Sequence, residues 1–364
     1  MKINDLINYL EGLFPVSLQE SYDNSGFILG NRAAEIKGIL ISLDITEEVI
    51  DEALESDFNL IISHHPLLFS PLKKITGENY TERLVQKAIQ HDLNIYSLHT
   101  NLDNISTGVN SIICKKIGLK NTRILDPKDN ELAKLVTFVP TEHANSVREA
   151  LFMAGAGKIG EYDSCSYNLS GKGTFRASEN TNPFVGKKGE IHFEEETRIE
   201  TIFPLFLKTK ILNALFNAHP YEEVAYDIYP LLNEFNKAGS GMIGDLEEEL
   251  NEIAFLEKLK FIFNAGVIKY TNLLNKNVKR VAVCGGSGSF LLKKAIHAKA
   301  DVFLSSDIKY HQFFDADHKI LIIDIGHYES EQFTKELIYT ILSEKFSNFA
   351  LRLSKVNTNP INYL

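Results

Sequence analysis

Apolar residues at positions 3, 6, 7, 10 and 13 recur at the spacing of an amphipathic helix, so residues 2–13 are expected to be helical, with Pro15 ending the helix. The polar stretch Ser21-Tyr22-Asp23-Asn24-Ser25-Gly26 reads as a turn into a short strand reaching Gly30, since Asp and Asn before Gly are ordinary turn chemistry. From Ile36 the pattern changes. Short apolar runs at 38–44, 60–63 and 94–98 are separated by amphipathic stretches at 47–56 and 81–91, and another helical stretch follows at 108–118. Strand and helix alternating at this pitch predict βαβ units and a largely parallel sheet.

The rhythm breaks at Asp126-Pro127-Lys128-Asp129-Asn130, a polar stretch that reads as a linker. Beyond it come a strand at 135–139, a helix at 146–155, an exposed alternating strand at 191–193, a helix at 208–217 and a last strand at 224–229. Strands and helices mixed in this way over roughly a hundred residues suggest a ferredoxin-like α+β unit of the β-α-β-β-α-β kind, with Gly and Ser gathering between 155 and 189. After Gly239–Leu246 the α/β pattern resumes. A helix at 255–263, a strand at 280–284, a helix at 290–298, strands at 301–304 and 320–324 and a closing helix at 333–346 are expected. The organisation predicted is an α/β domain in two halves, residues 1–127 and 233–364, with residues 128–232 inserted.

Size and charge then narrow the function classes. A chain of 364 residues is long enough for two or three domains, at ~100–200 residues each. A formal net charge of -10 argues against general affinity for nucleic-acid phosphates or anionic membrane surfaces. Cys114, Cys165 and Cys284 are far apart and form no Cys-x-x-Cys pair, which suits a reducing cytosol and speaks against a thiolate zinc site. The opening residues lack the apolar core of a signal peptide, and no charge-free apolar span of ~20 residues occurs, so a cytoplasmic protein is expected.

The candidate chemistry gathers at strand ends. Ser63-His64-His65-Pro66 follows the apolar run Leu60-Ile61-Ile62, and Pro66 forbids its continuation as a central strand. In open α/β sheets, ligands collect at that edge. Neighbouring side chains on an extended backbone point to opposite sides, so two metal ions suit the pair better than one small ligand. His99 with Asp103, and His327 with Glu331, stand at the ends of two more strands, each pair spaced i to i+4. One histidine at a strand end is ordinarily a packing or capping residue. Four histidines and two acids, all at carboxyl ends of strands, point instead to a mixed imidazole–carboxylate site suited to zinc, manganese, iron or nickel. That ligand count fits two ions roughly 3.5–4 Å apart, bridged by a carboxylate.

Other motifs are less decisive. Gly285-Gly286-Ser287-Gly288 lies between a strand and a helix, where it is either an anion cradle or simply a tight turn. Ser305, Asp307, Lys309 and His311 form a polar set beyond another strand, with Lys309 and His311 as candidate acid–base or substrate-binding groups. Cys114 and Cys284 read as core, and His219-Pro220-Tyr221-Glu222-Glu223 as a turn.

With these motifs in order, the chain resembles the NIF-three-like dinuclear metal-centre family, whose members are often labelled GTP cyclohydrolase I type 2 homologues. Tyr22-Asp23-Asn24-Ser25-Gly26 is similar to that family's Trp-Asp-Asn-x-Gly, with Tyr for Trp, and Cys284–Gly288 and Asp307–His311 also match. The resemblance spans essentially the whole chain, including the inserted domain of the longer form, similar to PII and CutA-like modules and tagged by His219–Glu223. It implies that His64, His65, Asp103, His327 and Glu331 are metal ligands, with His99 a further ligand or a residue that orients one. It also implies two divalent ions per subunit and a toroidal homohexamer with metal sites facing an internal cavity that the inserted domain caps. The activity implied is that of a metal-dependent hydrolase in which activated water attacks a nucleotide-like or cyclic amide substrate. A metal-delivery or regulatory protein with a ligand-sensing inserted domain is the alternative.

Overall fold

A computed structural model describes residues 1–364. Helix α1 (Ile3–Leu13) buries the stripe Ile3, Leu6, Ile7 and Leu10. Strands β1 (Gly26–Leu29) and β2 (Ile39–Ser42) follow, then α2 (Glu47–Glu55), whose first turn is capped by the Thr46 hydroxyl accepting from the Val49 amide. Next come β3 (Leu60–Ser63), α3 (Tyr80–Gln90) capped by Asn79, and β4 (Asn94–Ser97). A one-turn helix α4 (Thr100–Asp103) and α5 (Val109–Ile117), ended by left-handed Gly118, lead into β5 (Leu119–Lys128).

The chain then forms β6 (Leu132–Pro140), α6 (Ala144–Ala154), β7 (Tyr167–Arg176), β8 (Ile191–Pro204), α7 (Lys208–Ala218) and β9 (Tyr226–Leu231). The last stretch comprises β10 (Phe235–Asn251), α8 (Glu252–Ile262), β11 (Lys269–Tyr270), β12 (Asn277–Ser287), α9 (Leu292–His297), β13 (Val302–Ser306), β14 (Leu321–Asp324), α10 (His327–Glu331), α11 (Thr334–Lys345) and β15 (Leu351–Leu353). Two compact units result: Met1–Pro127 with Asn236–Leu364, and Lys128–Phe235. No helix is long and apolar enough to cross a membrane.

The first unit holds two sheets. One has the order β1-β4-β3-β2-β15, with β2, β3, β4 and β15 running parallel. The other has the order β11-β14-β13-β12-β10-β5, with β12, β13 and β14 parallel at its centre. The apolar runs of these strands are nearly continuous because both faces of each sheet are covered. Ile39, Ile41, Leu60 and Ile62 of the first sheet share one core cluster with Val281, Val283, Val302, Leu304, Leu321 and Ile323 of the second. The alternate residues face outward: Leu40 and Ile61 pack with Val49, Leu84 and Val85 of α2 and α3, and Ala282, Phe303 and Ile322 with Leu292 and Ala295 of α9.

The second unit is a four-stranded antiparallel sheet of order β7-β8-β6-β9, covered on one face by α6 and α7 around Leu135, Val147, Leu151, Ile199, Phe203, Ile211 and Leu215. Its β-α-β-β-α-β succession is ferredoxin-like.

Several elements differ from the sequence expectation. The linker at 126–130 overlaps β5, and the chain does not close on a helix: β15 returns to pair with β2 through Leu351–Ile39 and Leu353–Ile41. Strands β7 and β10 were not legible, since Gly171, Gly173, Gly239, Gly241 and Gly244 depress their strand propensity. Partner strands impose the pairing that propensity withholds: Met242–Asp245 lie opposite Arg280–Val283.

Candidate metal centre

The carboxyl ends of β2, β3 and β4 lie side by side, and so do those of β12, β13 and β14. One end supplies Asp44, His64, His65 and His99, and the other Asp307 and His327. At β3 the departure from expectation is local. The amides of His64 and His65 both donate to the Leu43 carbonyl, at 3.1 and 2.9 Å, so the backbone is no longer extended there. The two imidazoles therefore do not diverge: their ring centroids are 4.9 Å apart, with planes inclined by 49°.

Three overlapping groups of ligand atoms result, each within 4.8 Å: His64 with His65 and His99, His65 with His327 and Glu331, and His64 with Asp103 and Glu331. Glu331 joins the last two. Its Oε2 lies 3.0 Å from His65 Nε2 and 3.1 Å from His327 Nε2, while its Oε1 lies 3.7 Å from His64 Nε2, which is also 3.7 Å from Asp103 Oδ1. All six residues named from sequence are thus brought together. Helix α10 supplies the i to i+4 face for His327 and Glu331, and the short α4 carries Asp103 one turn beyond His99.

What faces outward from each ring is as regular as what faces inward. His65 Nδ1 donates to Asp44 Oδ1 at 2.6 Å, His99 Nδ1 to Asp23 Oδ1 at 2.6 Å, His327 Nδ1 to Asp307 Oδ2 at 2.7 Å, and His64 Nδ1 to the Leu98 carbonyl at 2.7 Å. Every imidazole is therefore held by Nδ1 with its Nε2 turned toward the centre, which is how metal-ligating histidines are oriented. The roles of Asp44, Asp23 and Asp307 were not read from sequence. Asp23 had looked like turn chemistry, yet its carboxylate also takes the Thr100 amide and the Ser25 hydroxyl. The available signal was an acid at or near each strand end.

The charges follow. Burial disfavours the charged form of His65, but its hydrogen bond to Asp44 and the negative charges of Glu331 and Asp44 outweigh that and push it up to about 10. His327 is buried too, yet Glu331 and Asp307 push it up to about 11. Burial, then the charge of Glu331, raises Asp103 to about 8. Burial opposes ionisation of Glu331 as well, but His64 and His327 hold it well below the usual carboxylate range. These are the marks of a site that gathers both signs of charge in a poorly solvated space.

The atoms fit a cation. His64 Nε2, Asp103 Oδ1 and Glu331 Oε2 are buried without a hydrogen-bond partner, the neighbouring ring nitrogens standing close to Glu331 Oε2 but off the line a hydrogen bond needs. Buried acceptors left unpartnered are costly unless an electrophile joins them, and here they lie on both sides of Glu331: His64 Nε2 and Asp103 Oδ1 on the side of its Oε1, and its own Oε2 toward His65 and His327. Nitrogen and oxygen donors without thiolate suit zinc, manganese, iron or nickel.

Two candidates fall outside. Lys309 and His311 are exposed on a 3-10 turn, and neither lines the cavity above the cluster; His311 rests on Tyr310 and Phe314. The strand before them ends at Ser306, and left-handed Asp307 turns the chain away after presenting its own carboxylate to His327. The glycine loop is no anion cradle. Its amides are spent on side chains: Gly285 on Asn110, Gly286 on Ser330 and Gly288 on Ser305. Cys284 is buried, and burial raises its thiol, so it stays neutral. His219 spends both ring nitrogens, on the Phe138 carbonyl and the Tyr221 amide, as a turn residue does.

Fold and site together define a mixed α/β protein whose strand ends gather histidines and carboxylates able to hold metal. The chain belongs to the Duf34/NIF3 (NGG1p interacting factor 3) family, whose model matches residues 1–360, as the motif resemblance implied. It is 41% identical to a GTP cyclohydrolase 1 type 2 homolog of Halalkalibacterium halodurans, over 99% of this chain and 98% of the relative. It is 36% identical to a protein of the same name from Bacillus subtilis, again over 99% and 98%. Among solved structures, a Bacillus cereus protein related to NIF3 superposes with a TM-score of 0.89 at 38% identity, covering 100% of this chain and 99% of that one.

Proposed function

We propose that this protein is a dinuclear divalent-metal-binding hydrolase. His64, Asp103 and one oxygen of Glu331 hold one ion, and His65, His327 and the other oxygen hold the second, with His99 beside the first. The carrying observation is that His64 Nε2, Asp103 Oδ1 and Glu331 Oε2 are buried without a hydrogen-bond partner within overlapping groups of possible ligand atoms. When bound, a pair of such ions polarises a substrate oxygen and lowers the pKa of water.

The chain's own residues do the rest. Asp44, Asp307 and Asp23 keep three imidazoles in one tautomer, and the Leu98 carbonyl keeps the fourth. Glu331 spans both positions. The cavity above them, about 470 Å3, has exposed aromatic side chains at its rim (Tyr22, Phe69 and Phe290) and Asn104, Asn110 and Asn359 in its walls. Its lining contains no Lys or Arg, and its asparagines are tied to the chain (Asn104 to the Leu18 carbonyl, Asn110 to the Gly285 amide, Asn359 to Glu329), so the rim aromatics and the ions, rather than basic residues, receive the substrate. The relatives' name directs the search to nucleotide-like and cyclic amide compounds, whose flat rings suit the rim aromatics. The long form's toroidal homohexamer, its PII/CutA-like reading of residues 128–232 and a cytoplasmic setting complete the proposal.

A second reading is a metal-delivery or regulatory protein. It draws support from the position of Lys309 and His311, which keeps both candidate acid–base groups out of the cavity. The decisive experiment measures the metal content of untreated protein by mass spectrometry, its mass by light scattering, and turnover of GTP and cyclic amides. Metal-dependent turnover lost in His65→Ala supports the hydrolase. Two exchangeable ions with no turnover support the carrier, and a protein that takes up no divalent ion overturns both.

A further inference from the structure

The chain runs on beyond β15. The Ser354 amide donates to the Ile41 carbonyl, and residues 355–364 then continue without helix or strand. A chain end of this kind is loose unless side chains tie it down, and here they do. Thr358 donates to Asp44, and Asn359 donates to Glu329 Oε1 at 3.2 Å, with the Tyr363 hydroxyl 3.5 Å from the same oxygen.

The seat of this tail is specific. A Cβ at Gly266 would stand 2.5 Å from the Tyr363 ring, and one at Gly326 would strike the Glu329 carboxylate. Glu329 is buried and lies on α10 between His327 and Glu331. Asp44 is the acid that anchors His65. Both acids that grip the tail therefore stand on the His65–His327 side of the centre.

From that seat the tail reaches the cavity above the cluster, where Asn359, Pro360 and Ile361 form part of the lining. Asn359 is committed to Glu329, so Pro360 and Ile361 are what the tail offers to a ligand, and Ile361 is 55% exposed. Aromatic side chains gather by a different histidine. The Phe69 ring centre is 5.6 Å from that of His99, and Tyr22 directly precedes Asp23, the anchor of His99. Two apolar surfaces from separate parts of the chain thus border one cavity.

We propose that the tail determines specificity at the metal centre: Pro360 and Ile361 form one wall of a slot for a flat, uncharged ring, and Tyr22 and Phe69 form the other. The inference rests on the metal-centre reading above and narrows it to compounds that present a ring together with a metal-binding oxygen. Contact with both walls covers apolar surface on each side of the ring, which neither wall provides alone. A compound without a ring gains nothing from the tail.

The test uses the full chain loaded with cobalt(II), a coloured stand-in for zinc, titrated with acetohydroxamate and benzohydroxamate and followed by visible absorption. Both compounds carry the same chelating group, and only the second carries a ring. In a chain ending at Thr358, which keeps β15 and the bond to Asp44, benzohydroxamate should bind about tenfold more weakly, and acetohydroxamate within about twofold of the parent. Gly266→Val unseats Tyr363 from outside the cavity and should move benzohydroxamate in the same direction. Equal losses for both compounds, or benzohydroxamate binding unchanged or tightened by the truncation, overturn the inference and leave the metal-centre reading standing, as does a loaded parent that binds neither compound. A parent chain that takes up no cobalt overturns that reading and the inference with it.

Discussion

Gly286 lies directly beneath Glu331: any side chain built on this glycine would run into the Glu331 carboxylate, and its backbone has φ +62. The strand-to-helix loop thus makes room for the one acid that faces both histidine pairs. Gly286→Ala is expected to destabilise the protein by about 1–2 kcal/mol from the left-handed backbone alone. It should also displace Glu331 and lower the metal bound per chain. Thermal melting and elemental analysis of the same sample check the two effects together, and unchanged metal content would remove the bridging role of Glu331.

Asp44 acts on the site through His65. Replacing it with Ala removes the acceptor at Nδ1 and frees the ring to turn or change tautomer. A loss of roughly 10- to 100-fold in affinity for one of the two proposed ions is expected. Competition against a chromophoric chelator should then resolve one weakened site and one nearly unchanged, since His64 is anchored separately by the Leu98 carbonyl.

The charge pattern predicts a pH dependence. With no cation bound, His65 and His327 are pushed up to about 10 and about 11, and burial raises Asp103 to about 8. A raised folded pKa means that these groups stabilise the chelator-treated protein fully below their unfolded values, and that this contribution is lost as pH rises through the folded ones. For the histidines the window opens near pH 6.5, and for Asp103 near 4, so all three act in the same direction at neutral pH. The melting temperature of chelated protein should therefore fall between pH 7 and 10. Metal should bind more tightly over the same range and release protons as it binds. Calorimetry in buffers of different ionisation enthalpy counts those protons, and a count of zero at pH 7 would contradict the assignment.

Residues at the carboxyl end bear on the site as well. Strand β15 covers the edge of β2, and Thr358 beyond it donates to Asp44. Removing residues 351–364 should expose that edge, lower the melting temperature and promote association through the unpaired strand. The metal affinity of the His65 position should fall with it, to a smaller extent than in Asp44→Ala.

Lys309→Ala and His311→Ala serve as the contrast. Both side chains are exposed and outside the cavity, so metal content and stability should stay within about 0.5 kcal/mol of the parent. Loss of metal in either variant would show that the polar turn reaches the centre.

Much of this protein was legible in one dimension. Strands with both faces buried must be apolar throughout, so Leu60–Ser63, Asn94–Ser97 and Leu321–Asp324 announced themselves, and the residues just past each run could be listed as site candidates. Periodicity located α1, α2 and α3 to within a residue or two, because amphipathic helices carry their spacing in the sequence. Glycine-rich β7 and β10, and the short β15, carried no such signal, and partner strands alone hold them extended. Which nitrogen of each histidine faces inward, and which acid holds it there, also required the tertiary structure. Asp23 and His99 are 76 positions apart and His65 and His327 are 262 apart, and no local rule spans such distances. The list of chemical groups was local, whereas their meeting followed from strand order within each sheet and from the packing of the two sheets against one core, which brings two sets of carboxyl ends to one place.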